Sequence, residues 1–230
     1  MGVTSNKMVS DLRNIATSGQ NPVEFRIEDS QLLYWCFQIR AMLIAQQIQK
    51  RKDISDTWLQ VLSCLELELV DKSECCEITT ECTILRTVRE IPDTIETTGD
   101  NFIVRVEDPM GNIISKTTAF EEKYLRHSKY TADRKRWFWK NNRIYIINED
   151  LLETINVWGI FEDPSDLKSF VSCDGSTCFD WYAEFPCSMK MASEITDIVL
   201  KTKVFPLIQM PQDNTNDANN TTAQPNTKNL

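Results

Sequence analysis

The sequence predicts an α+β protein, with helices from both ends of the chain forming one layer and a central, mainly antiparallel β domain between them. Three observations predict it. Residues 29–51 repeat apolar side chains at helical spacing, residues 57–161 alternate apolar and polar positions in short runs, and residues 188–203 return to the helical period. The expected organisation is an N-terminal helical segment over 1–56, a β domain over 57–161, a C-terminal helical segment over 162–210, and a polar tail over 211–230 that is disordered or ordered by a partner.

Residues 1–22 open with a short helix, capped by Asn6 or Ser5, in which Met8, Leu12 and Ile15 share a face; the GQNP at 19–22 ends it. The next helix starts at Glu28 or Asp29 and runs through Leu32, Leu33, Cys36, Phe37, Arg40, Leu43 and Ile44. Trp35, Ile39, Met42 and Ile48 broaden its apolar stripe almost all round. Such a helix packs on more than one side, here its own β domain and a neighbouring subunit.

From Thr57 the period changes. Leu65, Leu67 and Leu69 alternate with Glu66 and Glu68, the pattern of a half-buried strand. Further strands are expected over 82–88, 102–106, 143–147 and 154–161. DPMGN at 108–112 is a hairpin turn, and Ile113 begins the return strand. Asp163-Pro164 starts a short helix over 164–171, and SMKMASEITDIVLKTK is an amphipathic helix with Met191, Ile195, Ile198 and Val199 on one face.

The chain has 230 residues, 41% of them hydrophobic, which is enough for a sizeable core. Its net charge of −9 disfavours wholesale wrapping around nucleic acid. No apolar run reaches the ~18 residues that a membrane span needs. No secretory signal is visible, and MGVTSN fits only the short Gly2 acylation pattern.

Eight cysteines are present, and in a reducing compartment they are expected as thiols. Cys64 with Cys75, Cys76 and Cys82, and Cys173 with Cys178 and Cys187, are the two groups that metal could use. Neither has a CxxC pair or a histidine, so no metal or other cofactor is expected.

Nothing matches a P-loop, a GxGxxG or a GxSxG motif. His127 is the only imidazole and no nucleophile stands near it, so it reads as a surface histidine. Glu66 and Glu68 fall on one strand face and suit a solvated or inter-subunit surface better than a glycosidase pair. Asp174 and Asp180 lack the spacing of a calcium loop. The expectation is a protein that is not an enzyme.

One stretch stands out. Residues 123–143, KYLRHSKYTADRKRWFWKNNR, carry eight Lys or Arg and a single acid, Asp133. Three readings are open: a nucleic-acid contact with aromatic stacking, a dock for an acidic surface on another copy of the chain, or a solvated face with its tryptophans turned inward. On a strand Trp137 and Trp139 share one face and Phe138 takes the other, so one aromatic face is expected in the core and the other on a partner. The residues expected at an interface are Trp35, Arg40, Glu66, Glu68, Arg134, Lys135, Arg136, Phe138 and Lys140.

Several segments together resemble tail-associated structural proteins of crAss-like bacteriophages: CLELELVDKSEC, ILRTVREIP, RWFWKNNRIYIIN, VWGIFEDPSDL, and FPCSMKMASEITDIVLKTK with its QDNTNDANN tail. The resemblance implies a virion protein of the head-to-tail connector type, assembled in the host bacterial cytoplasm as a homo-oligomeric ring, twelvefold, beneath the portal. It implies portal and other ring or tail proteins as partners, DNA passing transiently through the lumen, and no membrane or cofactor.

Overall fold

The computed structural model describes residues 2–17, 27–50, 53–71, 83–97, 100–125 and 127–208. The expected strand at 82–88 is seen from Thr83, and the 211–230 tail, Cys75, Cys76, Cys82 and Arg126 lie outside those residues.

Helix α1 spans Ser5–Ala16, and its cap is Thr4, whose hydroxyl accepts from the Lys7 amide at 3.2 Å. It buries Met8, Val9 and Leu12, while Ile15 is exposed, so its inner face is turned by one position from the expected one. Helix α2 spans Asp29–Gln49. It buries Leu32, Leu33, Cys36, Phe37, Ile39, Leu43 and Ile44 against α1, the C-terminal helix and the end of the β domain, and leaves Tyr34, Gln38, Met42 and Gln46 as an exposed stripe. An ion pair between Arg13 and Asp29 joins α1 to the first turn of α2.

A short 3-10 turn, Asp56–Trp58, leads into the β domain. Its strands are β1 (Gln60–Asp71), β2 (Thr83–Thr87), the small hairpin β3 (Glu96–Thr97) and β4 (Asp100–Asn101), β5 (Ile103–Glu107), β6 (Ile113–Lys116), β7 (Arg136–Lys140), β8 (Arg143–Ile147) and β9 (Thr154–Gly159). Seven of them close into a barrel in the order β1-β2-β8-β7-β6-β5-β9, with β9 returning to β1. Every pairing in the barrel is antiparallel except β6 with β7, where Ser115 faces Arg136. A parallel pair needs a crossover, and helix α3 (Ala119–Leu125) supplies it.

The leucine alternation of β1 holds only in part: Leu65 is buried and Leu67 half-buried, but Leu69 is 54% exposed and Val70 is buried beside it. Leu62 and Leu65 both point into the barrel although three positions apart, because the register with β9 shifts between them. Cys64 sits at that shift with φ of +55°, and its amide donates to Asn156 Oδ1 at 3.0 Å instead of to the strand ladder. Trp137, Ile144, Ile146, Ile155 and Val157 fill the barrel.

After β9 the expected helix at 164–171 is a 3-10 segment, Pro164–Ser169, with Asp163 Oδ1 accepting from the Ser165 amide at 2.8 Å. Helix α4 spans Met189–Val199, capped by Ser188, and continues through a π turn at Leu200–Val204 into α5, Phe205–Ile208. Helices α1, α2 and α4 share one core, which Trp58, Ile95 and Ile160 join from the end of the barrel. Helices from both ends of the chain thus form a layer that stops one barrel end.

Cys64 and Cys173 form a disulfide across 109 residues, with Cα atoms 5.3 Å apart. This corrects the expectation of reduced thiols throughout: the bond takes one cysteine from each sequence cluster, because the β1 bulge and the turn at 172–176 meet in space. Cys36 and Cys187 stay as buried thiols, and burial raises the first to about 12 and the second to about 11.

Candidate assembly surfaces

The basic stretch at 123–143 is not one ribbon. It is divided among the end of α3, the turns at 127–135, and strands β7 and β8. Three of its cations are engaged inside the subunit. Arg136 Nη1 donates to both carboxylate oxygens of Glu122, at 2.9 and 2.6 Å, and its Nη2 reaches the carbonyls of Thr131 and Ala132. Lys135 pairs with Glu149. Arg143 donates to the carbonyls of Thr87 and Val88 and lies 3.6 Å from Glu90. Phe138 is buried and stacks on Tyr145, ring centroids 5.1 Å apart. Trp137 is inside the barrel and Trp139 is half-buried at its rim.

Three residues expected at an interface are therefore interior to the subunit. Arg136 is sealed by its ion pair, Phe138 by its place in a second apolar cluster with Val70, Ile84 and Ile147, and Arg40 by the helical layer. Arg40 is 0% exposed, and it donates from Nε to the Pro186 carbonyl at 2.7 Å, from Nη1 to Phe161 at 2.9 Å and from Nη2 to Trp58 at 3.0 Å. It locks α2 to the entry of the barrel, its exit, and the lead into α4. Burial lowers its pKa to about 10. Of the others, Arg134, Lys135 and Glu66 are exposed, and Trp35, Lys140 and Glu68 are half-buried, Glu68 with Arg86 Nε at 2.9 Å. His127 is exposed.

The two ends of the barrel differ. The far end, away from the helices, gathers the 108–112 hairpin turn, the 127–135 turns and the 148–153 turn. Asp108 builds the first, accepting from the Met110 amide at 2.9 Å and the Asn112 amide at 2.8 Å, with Gly111 at φ of +83°. The Asn112 side chain, with these amides, holds the Asp108 carboxyl below the usual range. Lys135 does the same for Glu149. Large apolar tips stand out here: Met110 and Leu151 are each 90% exposed and Tyr130 is 81%.

The near end carries a cleft of about 640 Å³ between α2 and the barrel. Gln38, Met42 and Ala45 form its helix wall, and Asp93, Trp139 and Glu162 are among the residues opposite. Asn141 and Asn142, at φ of +49° and +55°, make the two-residue turn that joins β7 to β8 at this end. Asn142 Nδ2 donates to Asp93 Oδ1 at 2.9 Å. Burial and the charges of Asp163 and Asp93 raise the Asp166 carboxyl above its ordinary value. The cleft was missed in the sequence because its acids, Asp93 and Glu162, are 69 positions apart; the FEDPSD run was the only local signal.

Among the described residues no group of three or more His, Cys, Asp or Glu side chains is gathered to hold a metal, and no helix is long and apolar enough to cross a membrane. Base stacking needs exposed aromatic faces, and Trp137 and Phe138 have none to offer. The arrangement suits protein contact rather than chemistry. A family model described as phage tail ring protein 2 matches residues 7–224.

The chain belongs to that family. No curated protein matches it. As a crAss-like phage tail ring protein it is a non-enzymatic component of the virion tail and connector, and it assembles with other subunits of the virion. That identity explains why the surface signal lies in barrel ends and not in a catalytic pocket.

Proposed function

We propose that this tail ring protein is a subunit of the head-to-tail connector, forming a twelvefold homo-oligomeric ring that joins portal and tail and lines the path of DNA. The observation that carries this reading is the polarity of the subunit. One end of its barrel is stopped by a helical layer beside an acidic cleft, and the other presents the apolar tips Met110, Tyr130 and Leu151, with Lys129 and Arg134 exposed among the acids Asp133 and Asp150. Unlike surfaces on one chain meet head-to-tail, and such contacts close into rings when the rotation permits. A net charge of −9 suits a lumen that lets DNA pass without dense phosphate contacts. Trp35, Glu66, Arg134 and Lys140 contact neighbouring subunits in this reading, and residues 211–230 reach an adjoining virion protein. Symmetry-resolved cryo-electron microscopy of the virion vertex tests it. Twelve copies between portal and tail support the reading; copies at the distal tip alone, or a different symmetry, contradict it.

A further inference from the structure

We propose that the acidic cleft between α2 and the barrel receives the 127–135 turn of a second copy of this chain, with Tyr130 entering beside Met42 and with Lys129 and Arg134 meeting Asp93 and Glu162. The inference rests on the ring reading and assigns that ring its contact.

Charge complementarity selects the occupant. Asp93 and Glu162 are exposed at the cleft, and Asp163 and Asp166 lie close by. Like charges so placed crowd one another; Asp166, in an adjoining recess, has its carboxyl raised by burial first, with the charges of Asp163 and Asp93 adding to it. A cationic partner relieves the crowding. The 127–135 turn exposes Lys129 and Arg134 with a single acid, Asp133, between them, and Lys129 Nζ lies 5.8 Å from the centre of the Tyr130 ring. Tyr130, a large amphipathic side chain left 81% exposed, has the character of an interface anchor. Met42 offers it an adaptable apolar wall.

The turn is also held in shape. Asn148 Nδ2 donates to the carbonyls of Ala132 at 2.6 Å and Arg134 at 3.0 Å, the Ala132 amide donates to Ser128 at 3.1 Å, and Arg136 holds the Thr131 carbonyl. Docking a pre-ordered turn costs little further ordering.

Geometry excludes self-docking. The turn adjoins the start of β7 and the cleft adjoins its end, and the five residues of β7 separate them by roughly 16 Å. One copy cannot satisfy both halves, so the contact propagates head-to-tail. In a closed ring it sets the barrel axis along the circumference, with the helical layer of each subunit against the far barrel end of the next.

Paired charge reversals test this. The chain carrying Lys129→Glu with Arg134→Glu, and separately the chain carrying Asp93→Lys with Glu162→Lys, should each lose the ring by native mass spectrometry. In each, turn and cleft then bear like charge. Mixed in equal amounts they should restore rings of alternating subunits, because every contact is again between opposite charges. A photoreactive residue in place of the exposed Tyr130 should cross-link in the unaltered ring to 38–45, 93–95 or 162 of a neighbour. Rings that persist in both variants, or cross-links that map elsewhere, overturn the docking proposal and leave the ring reading intact. An unaltered chain that never forms rings overturns the ring reading itself.

Discussion

Arg136 and Glu122 form an ion pair that is closed off from water, with Nη1 2.6 and 2.9 Å from the two carboxylate oxygens. It pins the crossover helix α3 to the one parallel junction of the barrel. Glu122→Gln leaves a buried guanidinium without its counter-charge and should cost about 3–5 kcal/mol in chemical denaturation. The joint replacement Glu122→Leu with Arg136→Met should cost far less, since it removes both buried charges. Equal losses in the single and joint variants would contradict this account of the pair.

Arg40 should be the most sensitive position in the helical layer. Arg40→Met takes donors from the carbonyls of Trp58, Phe161 and Pro186. A hydrogen bond to a charged group is worth about 1.5–3 kcal/mol, so the loss should reach about 3 kcal/mol or more. Arg40→Lys should recover only part of it, because an ammonium cannot span three diverging carbonyls. Hydrogen exchange should show the α2 amides and the 160–161 segment losing protection together.

Acid should loosen the far end of the barrel. Asp108 and Glu149 have carboxyls held below their ordinary values, so the folded state binds fewer protons there than the unfolded chain. Their stabilisation is complete above the ordinary carboxylate range and is lost as pH falls below it, through the depressed folded-state values. Asp166 is shifted the other way, so its ionisation opposes folding at neutral pH. Denaturation followed from pH 7 to about 3 should show a shallower acid loss in Asp108→Asn than in the unaltered chain, and Asp166→Asn should be neutral or stabilising at pH 7.

The Cys64–Cys173 bond closes a span of 109 residues. Its loss in Cys173→Ser, or under reductant, should lower stability by about 2–4 kcal/mol. Peptide mapping without reductant should recover the two cysteines linked, with Cys36 and Cys187 unreactive to alkylation until the chain unfolds. Alkylation of both Cys64 and Cys173 in the native, unreduced protein would contradict the pairing.

Local pattern carried much of this fold. RIYII at 143–147 is strand β8, and the helical spacing from Leu32 onward is α2. The α+β class follows from those periods. Pairing is another matter: neither barrel closure nor the parallel β6–β7 junction leaves a mark in single-strand alternation. Helix α3 did leave one. Thr118 and Glu121 form a capping box, the Thr118 amide reaching Glu121 Oε2 at 3.0 Å and the Glu121 amide reaching Thr118 Oγ1 at 3.2 Å. The density of cations just downstream masked that signal. Charge counting likewise cannot tell Arg136, sealed by a carboxylate 14 positions earlier, from the exposed Arg134. Arg40, expected at an interface, is instead enclosed among Phe37, Ile39, Ala41 and Ile44, because the three carbonyls that hold it come from segments 18 to 146 positions away. Nothing local linked Cys64 to Cys173, or Asp93 to Glu162; only the closed barrel brings them together.

Native mass spectrometry of the purified full-length chain over a concentration series tests the ring assignment most directly. The account predicts a closed oligomer with twelve times the 26.6 kDa mass of the chain, seen as rings by electron microscopy. A monomer at every concentration, or a twofold dimer that does not grow, would contradict it.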